Sequence, residues 1–178
     1  VALVPSTKSC KQYQNLGAIT TTAGSIIDEL DKLKKGNFSK IVVINNRYDG
    51  IDLPDESCRI LIMDGLPYFD SLADRYEEQA SPNSELINKR IDQKIEQGIG
   101  RGVRGEKDYC AILIIGSELV RFMRSIATNK FFSPQTQKQI EIGIEIADMA
   151  REDYDETESP IKVVISLIKQ MLARDEGW

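Results

Sequence analysis

The chain has 178 residues, 23 Lys+Arg against 28 Asp+Glu, a formal net charge of -5 and no histidine. That length suits one domain or two small ones, and about 70% of the unfolded surface can be buried, so a core needs neither disulfides nor a metal. At 41% hydrophobic and 29% charged the composition is globular, and the missing histidine excludes Ser-His-Asp and Cys-His catalysis and every histidine-ligated metal site.

Cys10, Cys58 and Cys110 are odd in number and widely spaced, which fits neither a disulfide framework nor a metal knuckle. A reducing, cytoplasmic setting is the simplest reading. No apolar run approaches the roughly 18 residues of a membrane span. The chain opens at Val1, inside a predicted strand, and so reads as a fragment of a longer protein. Residues 1–130 hold 18 basic and 18 acidic side chains, so the net charge lies in an acidic tail, residues 131–178. Within the balanced part, Lys89–Lys107 carries six basic and three acidic residues, a local positive window.

In chain order, Val1–Val4 reads as a strand closed by Pro5-Ser6-Thr7, and Lys8–Leu16 as a short helix stopped at Gly17. Ala18–Thr22 is short and β-branched; Ile26, Ile27, Leu30 and Leu33 then follow at helical spacing, with Ser25 as expected cap and Gly36 as stop. Lys40–Asn45 and Arg59–Asp64 are apolar runs with polar ends, as in strands covered on both faces of a parallel sheet. Ser84–Gln97 is helical, and Tyr109–Ile115 is the most apolar strand. Three helices follow: Glu118–Thr128, Pro134–Asp153 and Pro160–Ala173. Gln139–Ala147 alternates strictly, a strand pattern, but its flanks favour helix. The alternation of strands and helices predicts an α/β layered domain over residues 1–130, with residues 131–178 as a helical extension packed on it.

Gly100-Arg101-Gly102-Val103-Arg104-Gly105 matches G-x-G-x-x-G only formally. That motif needs a strand before it and a helix after it, and here the order is reversed. From Gln97 the same stretch reads Q-G-I-G-R-G-V-R. Two guanidinium groups three residues apart can converge on one anion, and forked donors suit the oxygens of a transferring phosphoryl group. The plain alternative is two solvated charges on a glycine-rich turn. Asp49-Gly50-Ile51-Asp52-Leu53-Pro54 lies between two predicted strands at a carboxyl edge of the sheet, where ligands of such sheets gather. There Gly50 permits positive φ or a close approach, Asp52 can accept from a ribose hydroxyl or orient an arginine, and Asn45, Asn46 and Arg47 offer donors to phosphates. A plain turn remains the alternative.

Together the two clusters resemble the second RecA-like domain of superfamily 2 DEAD/DEAH-type helicases, in the DinG-like branch. Asn45–Pro54 looks like motif V, Gln97–Arg104 like motif VI in the form Q-x-x-G-R-x-x-R, and Val1–Ser6 like motif IV. The resemblance implies an α/β, RecA-like three-layer sandwich with a mostly parallel sheet. It implies Arg104 as arginine finger, Arg101 as its neighbour and Gln97 as the third catalytic position. Gly50, Asp52 and Gly100 would lie at the nucleotide, and Ser6, Asn46 and Arg47 on DNA or RNA phosphates. No phosphate-cradling G-x-x-x-x-G-K-[ST] and no D-E-x-H or D-E-x-D occurs, so ATP and Mg2+ are expected mainly on an N-terminal RecA-like domain of the same chain. The expected function is half of an ATP-dependent helicase motor, without membrane contact and inactive on its own. Alternatives are a duplex translocase of a restriction or defence system and a non-catalytic interaction module.

Overall fold

The computed structural model describes all residues except 38, 49, 52, 54, 70, 83, 102–108, 153, 155–158 and 175–178. It divides into two compact units, Val1–Phe132 and Ser133–Trp178. The first is built on five parallel strands: β1 (Ala2–Val4), β2 (Ile19–Thr20), β3 (Val42–Asn45), β4 (Ile60–Asp64) and β5 (Ala111–Ile115), in the order β2-β3-β1-β4-β5. β1 is the middle strand, buried along its whole length, and β3 and β4 flank it, as their polar-ended apolar runs predict. The most apolar run, β5, is an edge strand of intermediate burial.

Alternation of side chains across the strands separates the two faces. Ala2, Val4 and Val43 pack with Cys10 and Tyr13 of α1 (Thr7–Asn15) on one face. Leu3 and Met63 meet α4 (Glu85–Ile99) on the other, where a Cβ on Gly98 would lie 3.0 Å from Met63 Cε and 3.3 Å from Leu3 Cδ1. Helix, sheet and helix make the RecA-like α/β sandwich that the sequence predicts.

Local chemistry accounts for several helix starts. Ser6 Oγ accepts from Ser9 N at 3.1 Å and caps α1; Ser84 Oγ accepts from Ile87 N at 3.3 Å and caps α4. Ser25 departs from expectation: it is helical and makes no cap to α2 (Ile26–Lys34). Its Oγ instead accepts from Thr22 N at 2.9 Å, and Ser25 N donates to Thr22 O at 3.2 Å, so the chain turns in one step earlier, at Thr22. Helix α3 (Leu72–Ala80), between β4 and α4, is not predicted from sequence.

The single helix predicted over Glu118–Thr128 is two, α5 (Ser117–Arg124) and α6 (Ile126–Asn129), broken at an extended Ser125. Thr128 Oγ1 donates to Phe122 O and to Ser125 O, and Asn129 Nδ2 to Met123 O at 3.2 Å. Phe122 O and Ser125 O accept from backbone N–H groups as well, and side chains from α6 supplement the bonds at the end of α5. In the second unit the alternating Gln139–Ala147 lies within helix α7 (Pro134–Glu152), where Ile140 is buried and Ile142 is 44% exposed. Ser133 Oγ accepts from Thr136 N at 3.3 Å and caps α7. Ser159, before α8 (Pro160–Ala173), makes no such bond, and the helix starts on its proline alone. No helix among the described residues is long and apolar enough to cross a membrane.

Candidate functional site

Val4 of β1 is in register with Asn45 of β3, so the chain leaves two neighbouring strands at one point on the carboxyl edge. Ser6 and Asn46 follow these residues. Asn46 N donates to Val4 O at 2.7 Å, and Asn45 Nδ2 to Thr7 Oγ1 at 3.3 Å, tying the two exits together. Asn46 adopts φ 43, the left-handed region that asparagine tolerates better than most residues. Its side-chain amide nitrogen and oxygen are both buried without a hydrogen-bond partner. Arg47 is exposed beside it. The three residues expected to hold phosphates are thus gathered at one edge, although Ser6 Oγ already serves as a helix cap.

The segment after β3 turns inward. Tyr48, Ile51 and Leu53 are buried at 3%, 2% and 0% exposure. Gly50 between them is exposed at φ 66, with no atom within 4 Å of where a Cβ would stand. Its glycine is required by backbone conformation, not by a neighbour. Asp52 lies outside the described residues.

Helix α4 carries the other cluster. Ile87, Ile91, Ile95 and Ile99 form its buried stripe, leaving Gln97 exposed near its C-terminal end. Gly100 caps that end with φ -65, an ordinary helical value, and a Cβ there would stand 3.2 Å from Glu96 O. The glycine that permits the closest approach is Gly98: a Cβ there would stand 3.1 Å from Tyr48 Cδ1. Its signal lies in the sequence, because 91, 95 and 98 fall on one helical face. Arg101 then reaches back, its Nε donating to Tyr48 O at 3.2 Å. Its terminal amino groups take no partner among the described residues, and a guanidinium fork of this kind can receive an anion. Arg104 lies outside the described residues.

Four further polar residues, Tyr13, Tyr48, Asp64 and Asp92, are not singled out by sequence. Tyr13 Oη donates to Asp64 Oδ2 at 3.0 Å, joining α1 to the end of β4. Burial, and then the Asp64 charge, holds the Tyr13 phenol above its ordinary range. Burial and the same carboxylate do so for Tyr48, whose hydroxyl is buried without a partner. On α4, Asp92 is fully buried with both carboxylate oxygens unpaired, and burial, then Glu96, pushes it up to about 7.

Residues 5–136 match the model of a family described as the helicase C-terminal domain. The chain is 27% identical over 94 residues to human DDX11-like protein 8, whose name marks it as a candidate ATP-dependent DNA helicase. That match covers 45% of this chain and 10% of the relative, so the chain spans about a tenth of the length of the curated relative. With 132 of its residues matched on a five-stranded parallel RecA-like sheet, the chain belongs to the helicase C-terminal domain family and has the fold of a helicase motor domain.

Proposed function

We propose that this domain is the second half of an ATP-dependent nucleic-acid helicase motor, completing an ATP site shared with an upstream RecA-like domain. The observation that carries the reading is the Arg101 to Tyr48 hydrogen bond of 3.2 Å. It fastens the end of α4, which resembles motif VI, to the loop after β3, which resembles motif V, and so links the nucleotide side to the nucleic-acid side.

The donor set fits phosphate oxygens. Arg101 offers guanidinium N–H groups with no partner among the described residues, Arg47 is an exposed fixed charge, and the Asn46 amide is a buried donor lacking a partner. An orphaned amide costs about 1–3 kcal/mol, so a ligand that satisfies it regains free energy at this spot. Arg104 is assigned as the arginine finger, Arg101 as the group that orients and neutralises beside it, and Gln97 and Asp52 as the link between the two ligands. Ser6, Asn46 and Arg47 hold backbone phosphates. ATP with Mg2+ supplies the phosphoryl group whose transfer to water drives the motor, and the upstream domain holds most of it. Closing the two domains brings the arginines to the developing charge, and opening them releases the clamp.

The test is ATP turnover by the full-length protein with and without single-stranded DNA. Stimulation by the single strand, abolished in Arg104→Ala with nucleotide binding retained, is expected. Normal turnover in that variant removes Arg104 from the site. Stimulation by duplex alone favours a translocase, and turnover by these 178 residues alone contradicts a shared site.

A further inference from the structure

Helix α1 packs over β2 and β3, to one side of the middle strand β1, whereas Asp64 ends β4 on the other side of it. Among the described residues one polar contact spans that distance: Tyr13 Oη donates to Asp64 Oδ2 at 3.0 Å. Tyr13 lies in the second half of α1, and helical side chains lean toward the N-terminus. Its phenol therefore points up the helix to the carboxyl edge, where Ser6 and Thr7 begin α1. The ring also packs on the Ala2, Val4, Cys10 and Val43 cluster, which holds the helix at its distance from the sheet but leaves its rotation about its own axis to directional contacts. Among the described residues three such contacts are present, Asn45 to Thr7 at the first turn and, further along, Tyr13 to Asp64 and Gln14 to Thr20 of β2; of these only Tyr13 to Asp64 reaches across the middle strand. Asp64 is also close enough to the loop gripped by Arg101 for its charge to be felt at Tyr48.

We propose that Tyr13 and Asp64 are positioning residues. With the contacts on the β2 and β3 side, their hydrogen bond fixes the rotation of α1 from the β4 side and so aims Ser6 and the first N–H groups of the helix at the nucleic-acid backbone. The role rests on the function proposed above, in which this edge meets a phosphate backbone. Neither residue touches the nucleic acid; each acts through α1. The bond must persist near neutral pH, and it does so because the phenol stays protonated well above that range.

The test measures binding of a labelled single-stranded DNA oligonucleotide by full-length protein, using fluorescence anisotropy without nucleotide, alongside thermal melting. Tyr13→Phe removes one hydroxyl and keeps the ring in the apolar cluster, and Asp64→Asn keeps an acceptor for the phenol. Affinity is expected to fall about fivefold in Tyr13→Phe and in Asp64→Ala, to fall no further in the double variant, and to stay near wild type in Asp64→Asn. Additive losses in the double variant, or unchanged affinity in Tyr13→Phe, overturn the proposal, as does a loss that tracks the melting temperature across all variants. If the wild type itself fails to bind the oligonucleotide, the nucleic-acid reading falls with it. If the wild type binds and Tyr13→Phe binds equally well, only the positioning role is lost.

Discussion

The Arg101 side chain, one residue beyond the cap of α4, donates from Nε to the main-chain carbonyl of Tyr48 at 3.2 Å. One guanidinium edge is thereby spent on the protein, and the other has no partner among the described residues. A lysine can supply the charge but not both functions, since a single ammonium lacks the planar fork. Arg101→Lys is expected to lower ATP turnover of the full-length protein at least tenfold while costing about 1 kcal/mol or less in urea unfolding. Equal turnover in the two proteins would assign Arg101 a purely structural role.

Gly98 is where α4 comes closest to the sheet and to Tyr48. A methyl group there would stand 3.0 Å from Met63 Cε, 3.1 Å from Tyr48 Cδ1 and 3.3 Å from Leu3 Cδ1. The Met63 end can swing away, but Tyr48 and Leu3 are 3% and 1% exposed and have nowhere to go. Gly98→Ala should destabilise by about 1–3 kcal/mol despite the better helix propensity of alanine. Displacement of Tyr48 should also loosen its carbonyl from Arg101, so turnover should fall with stability. An unfolding midpoint equal to wild type would show that α4 shifts freely, against the packing described.

Residue pattern reveals β1, β3, β4 and β5 because each is an apolar run, and a strand buried on both faces needs little else to identify it, whereas the short edge strand β2 shows only β-branched residues. Strand order is less accessible: β5 is the most apolar run yet forms an edge, since a run records its own composition and not its neighbours. Helix α3 escaped because none of its described residues is buried; Leu72 and Tyr76 are 82% and 72% exposed, so no apolar face marks it. The break at Ser125 rests on Thr128 and Asn129 bonding back to carbonyls of α5, a tertiary choice that periodicity does not encode. At the candidate site the arginines and the loop glycine stand out by type and spacing. Tyr13 and Asp64 are 51 residues apart and meet only through the fold.

Gly50 offers a contrast to Gly98. Its φ of 66 is unfavourable for a residue with a Cβ, yet nothing stands within 4 Å of that position. Gly50→Ala should cost only the backbone penalty, about 1–2 kcal/mol, and Gly50→Asn less, because asparagine tolerates this region. If nucleotide or nucleic acid approaches the exposed turn, both variants should lose ligand affinity beyond that stability cost. Affinities that match wild type, measured at a temperature where both variants are folded, would remove Gly50 from the ligand contacts.

Asp92 places an unpaired carboxylate at 0% exposure in the middle of α4, with burial and then Glu96 raising its pKa to about 7. The folded state therefore holds a proton there that the unfolded chain releases near pH 4. Between these values the folded state binds more protons, so this group's contribution to stability declines as pH rises and reaches its full cost above about pH 7. Asparagine cannot ionise. Asp92→Asn should match wild type near pH 4 and exceed it by about 1–3 kcal/mol at pH 8, the usual scale for an unsatisfied buried polar group. The measurement is urea unfolding of both proteins across that range, and the quantity of interest is their difference, in which titrations common to both cancel. A difference that stays flat from pH 4 to pH 8 would mean that Asp92 ionises normally in the folded protein and that its surroundings admit water. A difference that grows as the pH falls would reverse the sign and require a cation beside the carboxylate.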